Sequence, residues 1–340
     1  MDISASIKEV TEGTNLSFDT MSKIMESMMR GQISEVQMAA FLVAMRMKGE
    51  TTEEIAAAAT IMRDFASSVN IETYPLVDTC GTGGDGSHTF NISTAAAIVV
   101  AACGGHVAKH GNRAASSSSG SADVLEIAGA KIDLSAKHIA ECINSVGIGF
   151  MFAPSHHGAT RFAGKVRKQI GSRTLFNILG PMTNPAGADR QVMGVFEKSW
   201  IKSVAKVLSK LGTKHGLVVC SEDGMDEISV TVDTHIAEIT KGTINTYTIN
   251  PQYFGLEPQD TQSLIATNPT ESLRIINTVF DGKGGPATNI VAANAGAAIY
   301  VAGICDSIRS GFSMALDAIQ TGNAKKTFDD FILFTKTVRE

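Results

Sequence analysis

The sequence predicts an α/β protein with a small N-terminal helical domain and a larger domain built on a mostly parallel β-sheet. The first 70 residues show only helical periodicity, whereas from Tyr74 onward short apolar runs alternate with helical stretches. The length of 340 residues, 44% of them hydrophobic, exceeds what one hydrophobic core usually organises. We therefore expect two domains, 1–72 and 73–340, with residues from about 162–188 contributing to the helical one.

Capping residues define the helices of the first domain. Ser17 or Asp19 begins a helix that Gly31 ends, and Gly49 ends the next one. Two pairs have the spacing of a capping box: Ser34 with Gln37, and Thr51 with Glu54. Seven methionines repeat at helical spacing, and we interpret them as core residues rather than a soft binding surface: Met21, Met25, Met28, Met29, Met38, Met45 and Met47.

The second domain shows βα alternation. The predicted strands are Leu76–Cys80, Val107–Ala108, Ile148–Phe152, Val192–Phe196 and Leu217–Cys220. The predicted helices between and after them are Ala95–Ala102, Ala122–Ile127, Ile201–Leu211 and a helical tail from Asn289. A hairpin is expected from His235–Ile239 to Ile244–Ile249 across Lys241-Gly242. Such alternation predicts binding sites at the carboxyl ends of the parallel strands.

Composition excludes several classes of function. A net charge of −5 and a pI near 5.9 argue against a nucleic-acid-coating protein. Five cysteines without C-x-x-C spacing argue against a disulfide framework and a structural zinc site. No apolar run reaches 18 residues, and the first residues lack the regions of a signal peptide. We expect a cytoplasmic protein that binds small molecules and neither nucleic acid nor membrane.

An anion site is predicted between Asp85 and Asp123, where the chain carries no acidic residue. The turn Gly81-Thr-Gly-Gly-Asp85 follows a strand, Asn91-Ile-Ser-Thr94 opens a helix, and Lys109-His-Gly-Asn-Arg113 supplies two cations. Glycine lets backbone N–H groups approach phosphate oxygens, and a helix start adds a positive dipole end. Ordinary turn chemistry, plain helix capping and a solvated basic loop remain alternatives. Asp85 would repel a phosphate unless it meets a metal or a hydroxyl group.

Two further clusters carry candidate chemistry. Arg161, Lys165 and Lys168 share one helix face typical of solvated charges, whereas Arg167 lies off that face and can point inward to clamp a carboxylate. Asp226 and Glu227 follow Gly224, which permits a turn that aims both carboxylates at one Mg²⁺ ion. A solvated acidic turn is the alternative for that pair.

Four blocks together resemble the anthranilate phosphoribosyltransferases of tryptophan biosynthesis: GTGGDGSHTFNIST, VAKHGNRAASSSSGSADVLE, VRKQIGSRTLFNILGPMTNP and GMDEIS. The resemblance spans roughly residues 17 to 300. It implies a nucleoside-phosphorylase-type phosphoribosyltransferase fold, a homodimer formed through the helical domains, and a ligand cleft between the domains. The chain departs from the usual family pattern at Gly158, at Lys165 and at Thr288-Asn289.

The resemblance also implies the site residues. It places 5-phosphoribosyl 1-diphosphate on Gly81, Gly84, Asp85, Thr89, Asn91, Ile92, Ser93, Thr94, Lys109, His110, Gly111, Asn112, Arg113, Ala114, Ala115, Ser116, Ser117 and Ser121. It places anthranilate on Gly81, Asn112 and Arg167, along a path lined by His110, His157 and Pro181. Two Mg²⁺ ions are expected, with ligands from Ser93, Asp226 and Glu227. Lys109, Asp85 and Arg167 are the residues it implies for catalysis.

The implied reaction transfers the phosphoribosyl group to the amine of anthranilate, giving N-(5-phosphoribosyl)anthranilate and diphosphate. Two alternatives are a pyrimidine-nucleoside phosphorylase and a non-catalytic paralogue that binds nucleic acid. The first should carry different glycine and lysine-serine signatures. The second should be basic and lack the Asp226–Glu227 pair, which this acidic chain has.

Overall fold

The computed structural model of the protein describes residues 2–114 and 118–338, and it begins with a bundle of four helices. These are α1 (Ile3–Thr11), α2 (Phe18–Met29), α3 (Glu35–Lys48) and α4 (Thr52–Asp64). Ser17 caps α2, both predicted capping boxes form at the starts of α3 and α4, and Gly49 ends α3. The local signals in this part of the chain therefore predicted its helices closely.

A seven-stranded sheet follows, with strand order β3-β2-β1-β4-β5-β6-β7. The strands are β1 (Leu76–Gly81), β2 (His106–Gly111), β3 (Ile148–Phe152), β4 (Arg190–Gly194), β5 (His215–Ser221), β6 (Thr234–Thr240) and β7 (Thr243–Ile249). The five strands β1 to β5 are parallel to one another, and the β6–β7 hairpin adds two antiparallel strands beside β5. The predicted mostly parallel sheet and the predicted hairpin are both confirmed.

Helices cover both faces of the sheet. They are α5 (Ile92–Ala102), α6 (Ser121–Ile127), α7 (Ala136–Val146), α8 (Ala153–His156), α9 (Arg161–Ile170), α10 (Leu175–Leu179), α11 (Trp200–Lys210), α12 (Pro269–Phe280), α13 (Pro286–Val301), α14 (Ile308–Gln320) and α15 (Asn323–Thr337). Within residues 2–114 and 118–338, no helix combines the length and the apolar character that crossing a bilayer requires.

The two faces of the sheet belong to different hydrophobic cores. On β5, Leu217 and Val219 join the core under α5 and α13, whereas Val218 and Cys220 join the core on the opposite face. That second core also contains the apolar residues of α1–α4, α9, α10 and α11. Helices α9 and α10 thus pack with the bundle, while the domain boundary at residue 72 stays a prediction.

One methionine was predicted wrongly. Six of the seven methionines predicted as core are buried, but Met47 is 83% exposed. It lies near the end of α3 on the side away from the bundle core, so its spacing alone could not separate an inner from an outer face.

Candidate active site

Three loops meet at the carboxyl ends of β1, β2 and β5. The glycine turn 81–86 follows β1, the basic loop 111–114 follows β2, and the acidic turn 224–227 follows β5. The register of the parallel strands sets Gly81 beside Gly194 on β4. In an open α/β sheet this edge is where ligands bind, so the topology brings the predicted anion-binding and acidic residues together.

The glycine turn has a left-handed backbone that a side chain would strain. Gly83, Gly84 and Gly86 have φ values of 64°, 71° and 76°. The Gly83 N–H donates to Asp226 Oδ2 over 2.7 Å, and a Cβ on Gly81 would collide with the same carboxylate. The turn is therefore built around Asp226 even before a ligand arrives.

The Asp85 carboxylate is hydrogen-bonded to a hydroxyl group. This is one of the two partners, a hydroxyl or a metal, that the sequence predicted for it. Its Oδ1 accepts a hydrogen bond from the Ser87 N–H over 3.3 Å, and its Oδ2 accepts one from the Ser87 hydroxyl. Thr89, two residues further on, pairs with Ile265 through a single β-bridge. These contacts fix the segment that leads from the turn into α5.

The start of α5 is already hydrogen-bonded within the protein. The N-cap residue Asn91 makes no capping bond; its Oδ1 instead accepts from Ser119 and Ser272 hydroxyls, each over 2.7 Å. The Ile92 N–H donates to Phe90 over 2.7 Å. The predicted phosphate binding by this helix start stays a prediction, since these groups would have to exchange partners to reach a ligand.

Glu227 lies at the same helix start. Burial raises the pKa of its carboxyl, and the nearby Ser93 N–H, at the positive end of the α5 dipole, opposes that rise. Ser93 and Thr94 lie in the first turn of α5, and Thr94 Oγ1 is buried without a hydrogen-bond partner in the described part of the chain. The acidic turn after β5 therefore packs directly on the residues predicted to hold phosphate and metal.

Lys109 is buried beneath this point, with only 2% of its surface exposed. Its Nζ donates to the Thr79 carbonyl over 2.6 Å and lies 3.5 Å from Ser93 Oγ. Burial lowers the pKa of Lys109, and the negative charges of Asp78 and Glu227 oppose that effect. The cation thus lies between two acids below the metal-binding candidates.

Asp78 is a site-supporting residue that the sequence interpretation missed. It is fully buried on β1, its Oδ1 accepts from the His110 N–H over 3.3 Å, and its Oδ2 accepts from Asn184 Nδ2 over 2.8 Å. Burial raises the pKa of Asp78 to about 6, against the opposing charge of Lys109. An aspartate inside an otherwise apolar strand was the signal that could have revealed it.

Two histidines form a neutral, buried pair. The rings of His110 and His157 lie 5.0 Å apart between centroids. Burial is the main cause that lowers their pKa values, to about 3 and about 4. Their rings lie near the backbones of Gly180 and Thr183, on either side of Pro181, and both Nε2 atoms are buried without partners in the described chain. The pair therefore offers neutral polar atoms beside the 180–183 turn.

Arg167 points off the solvated face of α9, as its spacing predicted. Arg161, Lys165 and Lys168 are exposed, whereas Arg167 is half-buried, with its Cζ 5.3 Å from the centroid of the Phe176 ring. Burial lowers its pKa, and it has no ion-pair partner in the described chain. Phe176 belongs to α10, which ends at Gly180 beside the histidine pair.

Arg113 has carboxylate partners in the structure. Its guanidinium contacts Asp123 over 3.2 Å and both oxygens of Glu126, so the basic loop is internally compensated. Asp123 also accepts from the Ala114 N–H over 2.9 Å and the Gly120 N–H over 3.0 Å. Phosphate binding by Arg113 would have to replace these ion pairs.

The neighbouring backbone groups of this loop are also engaged. The Asn112 carbonyl accepts from Ser121 Oγ over 3.3 Å, and Asn112 Oδ1 accepts from the Arg113 N–H over 2.7 Å. At Gly111 a Cβ would collide with Ser121 and Phe150. Three further predicted ligand residues, Ala115, Ser116 and Ser117, lie outside the described residues.

The acidic pair fits a divalent cation that a substrate helps to bind. Burial raises the pKa of Asp226 to about 6, with Asp85 as the next cause, and burial together with Asp226 raises that of Glu227 well above its usual range. Within the described residues no three side chains of His, Cys, Asp or Glu form a ready metal site. Mg²⁺ commonly takes one or two carboxylates plus substrate phosphates, and two adjacent buried acids suit that mode.

The residues that depart from the family pattern have different surroundings in the structure. A Cβ on Gly158 would meet no atom within 4 Å. Lys165 Nζ forms an ion pair with Glu35 of α3 over 2.8 Å, and Asn289 Nδ2 donates to Gln259 over 3.1 Å. Gly158, Lys165 and Asn289 therefore each have a local structural partner or open space, whereas Thr288 Oγ1 is buried without a hydrogen-bond partner in the described chain.

Comparison with known proteins matches this architecture along the whole chain. Residues 4–66 match the model of the glycosyl transferase family helical bundle domain, and residues 73–325 match that of the glycosyl transferase family a/b domain. An anthranilate phosphoribosyltransferase from Thioalkalivibrio sulfidiphilus is 50% identical over 335 residues, covering 98% of this chain and 99% of the relative. The chain belongs to the anthranilate phosphoribosyltransferase family.

Solved structures of the anthranilate phosphoribosyltransferase family share the fold. The enzyme from Thermus thermophilus has 38% identity and a TM-score of 0.92, covering 99% of this chain and 100% of its own. The Saccharomyces cerevisiae enzyme, solved in complex with PRPP and Mg, has 25% identity and a TM-score of 0.88, covering 98% of this chain and 99% of its own. The resemblance predicted from the four sequence blocks, and the fold that it implied, are confirmed.

Proposed function

We propose that this chain transfers the 5-phosphoribosyl group from 5-phosphoribosyl 1-diphosphate to the amine of anthranilate, the second step of tryptophan biosynthesis from chorismate. The observation that carries the proposal is the closure of the Asp226–Glu227 turn onto the glycine turn and the start of α5. In this proposal, that arrangement puts the oxygens that would bind the metal beside the backbone that would bind phosphate. Family membership and the PRPP and Mg complex of the yeast relative support the same reading.

The chemistry requires one bond to form as another breaks. The amine nitrogen attacks C1 of the ribose, the bond from C1 to the diphosphate oxygen breaks with its electron pair going to diphosphate, and the nitrogen then releases a proton to water or a carboxylate. No side-chain nucleophile is needed. Catalysis then consists of aligning the reactants and stabilising charge on the leaving group.

The donor side of the site supplies the charge stabilisation. In this proposal the amides of the glycine turn hold diphosphate oxygens, and Lys109 adds a buried positive charge below Ser93. Asp226, Glu227 and the Ser93 hydroxyl would hold Mg²⁺, for which we propose two ions. When bound, Mg²⁺ neutralises diphosphate and makes it a better leaving group.

The acceptor side suits a neutral aromatic amine with a carboxylate. In this proposal Arg167 clamps the carboxylate, while the His110–His157 pair, neutral at physiological pH, lines the approach near Pro181. A neutral lining does not protonate the attacking amine and leaves its lone pair available. Gly81 and Asn112 would complete the contacts to anthranilate.

We also propose a cytoplasmic homodimer joined through the helical bundles. Val36, Val43 and Met47 are 80%, 41% and 83% exposed on α3, and their spacing of seven and four residues puts them on one face. Met47→Asp should therefore shift the mass measured by light scattering toward the monomer. Leu333→Asp, at another exposed apolar position, should leave the mass unchanged. An unchanged mass for Met47→Asp would contradict the proposed face.

The activity is tested by the fluorescence of anthranilate, which should fall when the protein, Mg²⁺ and the ribosyl donor are mixed. Omission of the donor or of Mg²⁺ should preserve the signal. The phosphorylase alternative predicts phosphate-dependent release of a base from pyrimidine nucleosides, and we expect none. Base release without loss of anthranilate would overturn the proposal.

A further inference from the structure

Arg173, in the connection between α9 and α10, reaches across to the glycine turn. Its Cζ lies 3.6 Å from the centroid of the Phe196 ring, a stacked arrangement. Its Nη2 and Nε lie 3.1 Å and 3.2 Å from the point that a Cβ on Gly84 would occupy. The guanidinium thus lies against the backbone of the turn, on the side of the acidic pair.

The N–H groups of this guanidinium have no hydrogen-bond or ion-pair partner in the described part of the chain. Arg113 is paired with Asp123 and Glu126, and Lys165 with Glu35, whereas Arg167 resembles Arg173 in having no ion-pair partner in the described chain. Stacking on an aromatic ring uses the flat face of a guanidinium and leaves its five in-plane donors available. A half-buried arginine held in this way is prepared to bind an anion.

The helical bundle fixes the segment that carries Arg173. Arg46 of α3 donates through Nη1 to the Arg173 carbonyl over 2.8 Å and to the Ser172 hydroxyl. The backbone of Arg173 is therefore anchored to one part of the protein, while its side chain contacts the turn after β1. The backbone anchor and the stacking on Phe196 together limit the conformational entropy that would be lost on binding a ligand.

We propose that Arg173 binds the diphosphate group of the ribosyl donor and stabilises it as it leaves. The inference rests on the proposed function and adds a residue to it. A bidentate contact from a planar guanidinium matches two oxygens of a phosphate group, which Lys109, buried beneath Ser93, does not offer. Arg173 thus serves the donor, whereas Arg167, stacked on Phe176, serves the carboxylate of the acceptor.

Structural compensation of nearby acids is the competing explanation. The charge of Arg173 lowers the pKa of Asp226, although burial and Asp85 raise it more. If compensation were its only role, loss of Arg173 would change the stability of the ligand-free protein and leave diphosphate binding intact. Binding and stability therefore need to be measured on the same variant.

The test compares Arg173→Gln with Arg161→Gln. Arg161 also stacks on a ring, at 4.9 Å from the centroid of Phe162, but it is exposed on the outer face of α9. Titration calorimetry with inorganic diphosphate and Mg²⁺ should show affinity at least about tenfold weaker for Arg173→Gln and unchanged for Arg161→Gln. The KM for the ribosyl donor should rise by a similar factor, and the KM for anthranilate should stay within about twofold.

Arg173→Lys keeps the charge without the planar fork, and we expect diphosphate affinity between those of the wild type and Arg173→Gln. It also tests the proposal if the glutamine variant folds poorly. Wild-type diphosphate affinity in both variants, or a selective rise in the KM for anthranilate, would overturn the assignment. Absence of turnover by the wild type would refute the proposed function, while the calorimetry would still decide whether Arg173 binds diphosphate.

Discussion

The Asp226 carboxylate accepts a hydrogen bond from the Gly83 N–H over 2.7 Å, although the two residues are 143 positions apart in the chain. This bond joins the turn after β5 to the turn after β1. Because a Cβ on Gly81 would collide with the same carboxylate, Gly81 lets the acidic turn approach this closely. The metal-binding and phosphate-binding candidates therefore form one structural unit.

Replacing the acidic pair should separate activity from stability. The double variant Asp226→Asn, Glu227→Gln removes two charges whose pKa values are raised mainly by burial, so ionising them costs folding free energy. We expect turnover to be lost at every Mg²⁺ concentration while the melting temperature without ligand does not fall. Near-normal activity at limiting Mg²⁺ would show that the metal binds elsewhere.

Arg167→Ala should weaken anthranilate far more than the ribosyl donor. Loss of a half-buried, charge-assisted carboxylate clamp should lower kcat/KM for anthranilate. The loss should correspond to about 2–4 kcal/mol of transition-state binding free energy. Lys168→Ala, one position further on the exposed face of α9, is the matched control and should change neither substrate. If both KM values rise equally in Arg167→Ala, the residue belongs to the donor site. Steady-state kinetics with each substrate varied decides this.

Gly84→Ala should impair donor binding through Arg173. At φ 71° an alanine is strained by about 1–2 kcal/mol, and its Cβ would also press on the guanidinium. Gly86→Ala has a similar φ of 76° with no atom within 4 Å of its Cβ, so it reports the backbone strain alone. We expect both variants to lose similar stability in melting experiments. Only Gly84→Ala should lose donor affinity by calorimetry, and equal affinity in both would contradict the phosphate-cradle interpretation.

Glu238 should contribute stability that depends on pH. Burial raises the pKa of this carboxyl, but hydrogen bonds from His215, Tyr300 and Tyr247 outweigh burial and lower it to about 2. A depressed folded-state pKa means that the stabilisation is complete above the unfolded value near 4.3 and is lost as pH falls toward 2.

Glu238→Gln should therefore lower the free energy of unfolding by about 1–3 kcal/mol at pH 7, and the difference from the wild type should shrink between about pH 5 and pH 3. Urea unfolding at several pH values measures this. Glu257→Gln, at an exposed carboxylate, should have no effect. A difference for Glu238→Gln that stays constant across this range would show that its charge is not the source of the stability.

Capping pairs, turn residues and helical periodicity predicted much of the fold, because each depends only on residues that are close together in the sequence. Ser34 with Gln37 and Thr51 with Glu54 form their capping boxes, and the hairpin turns at Lys241-Gly242. The periodicity of α9 likewise separated Arg167 from its solvated neighbours. Patterns of this kind need no knowledge of distant partners.

The contacts that complete the site could not be predicted, since they join distant parts of the chain. Asp78 accepts a hydrogen bond from Asn184, and Glu227 lies beside the start of the helix that contains Ser93. The sequence did not indicate that Arg113 pairs with Glu126, because the residues of the basic loop are equally typical of a ligand-binding site. The structure was needed to show which charges are already compensated within the protein.

The hydrophobic core shared by the helical bundle and one face of the sheet makes the two regions depend on each other. Arg63 of α4 donates to the Met182 carbonyl over 2.7 Å and to the Leu211 carbonyl over 2.9 Å. Hydrogen bonds therefore join the bundle to the sheet domain in addition to the apolar contacts. A fragment cut near residue 72 would leave the apolar side of the bundle in water. The two regions therefore gain their stability jointly, and heat should melt them in a single cooperative transition rather than one after the other.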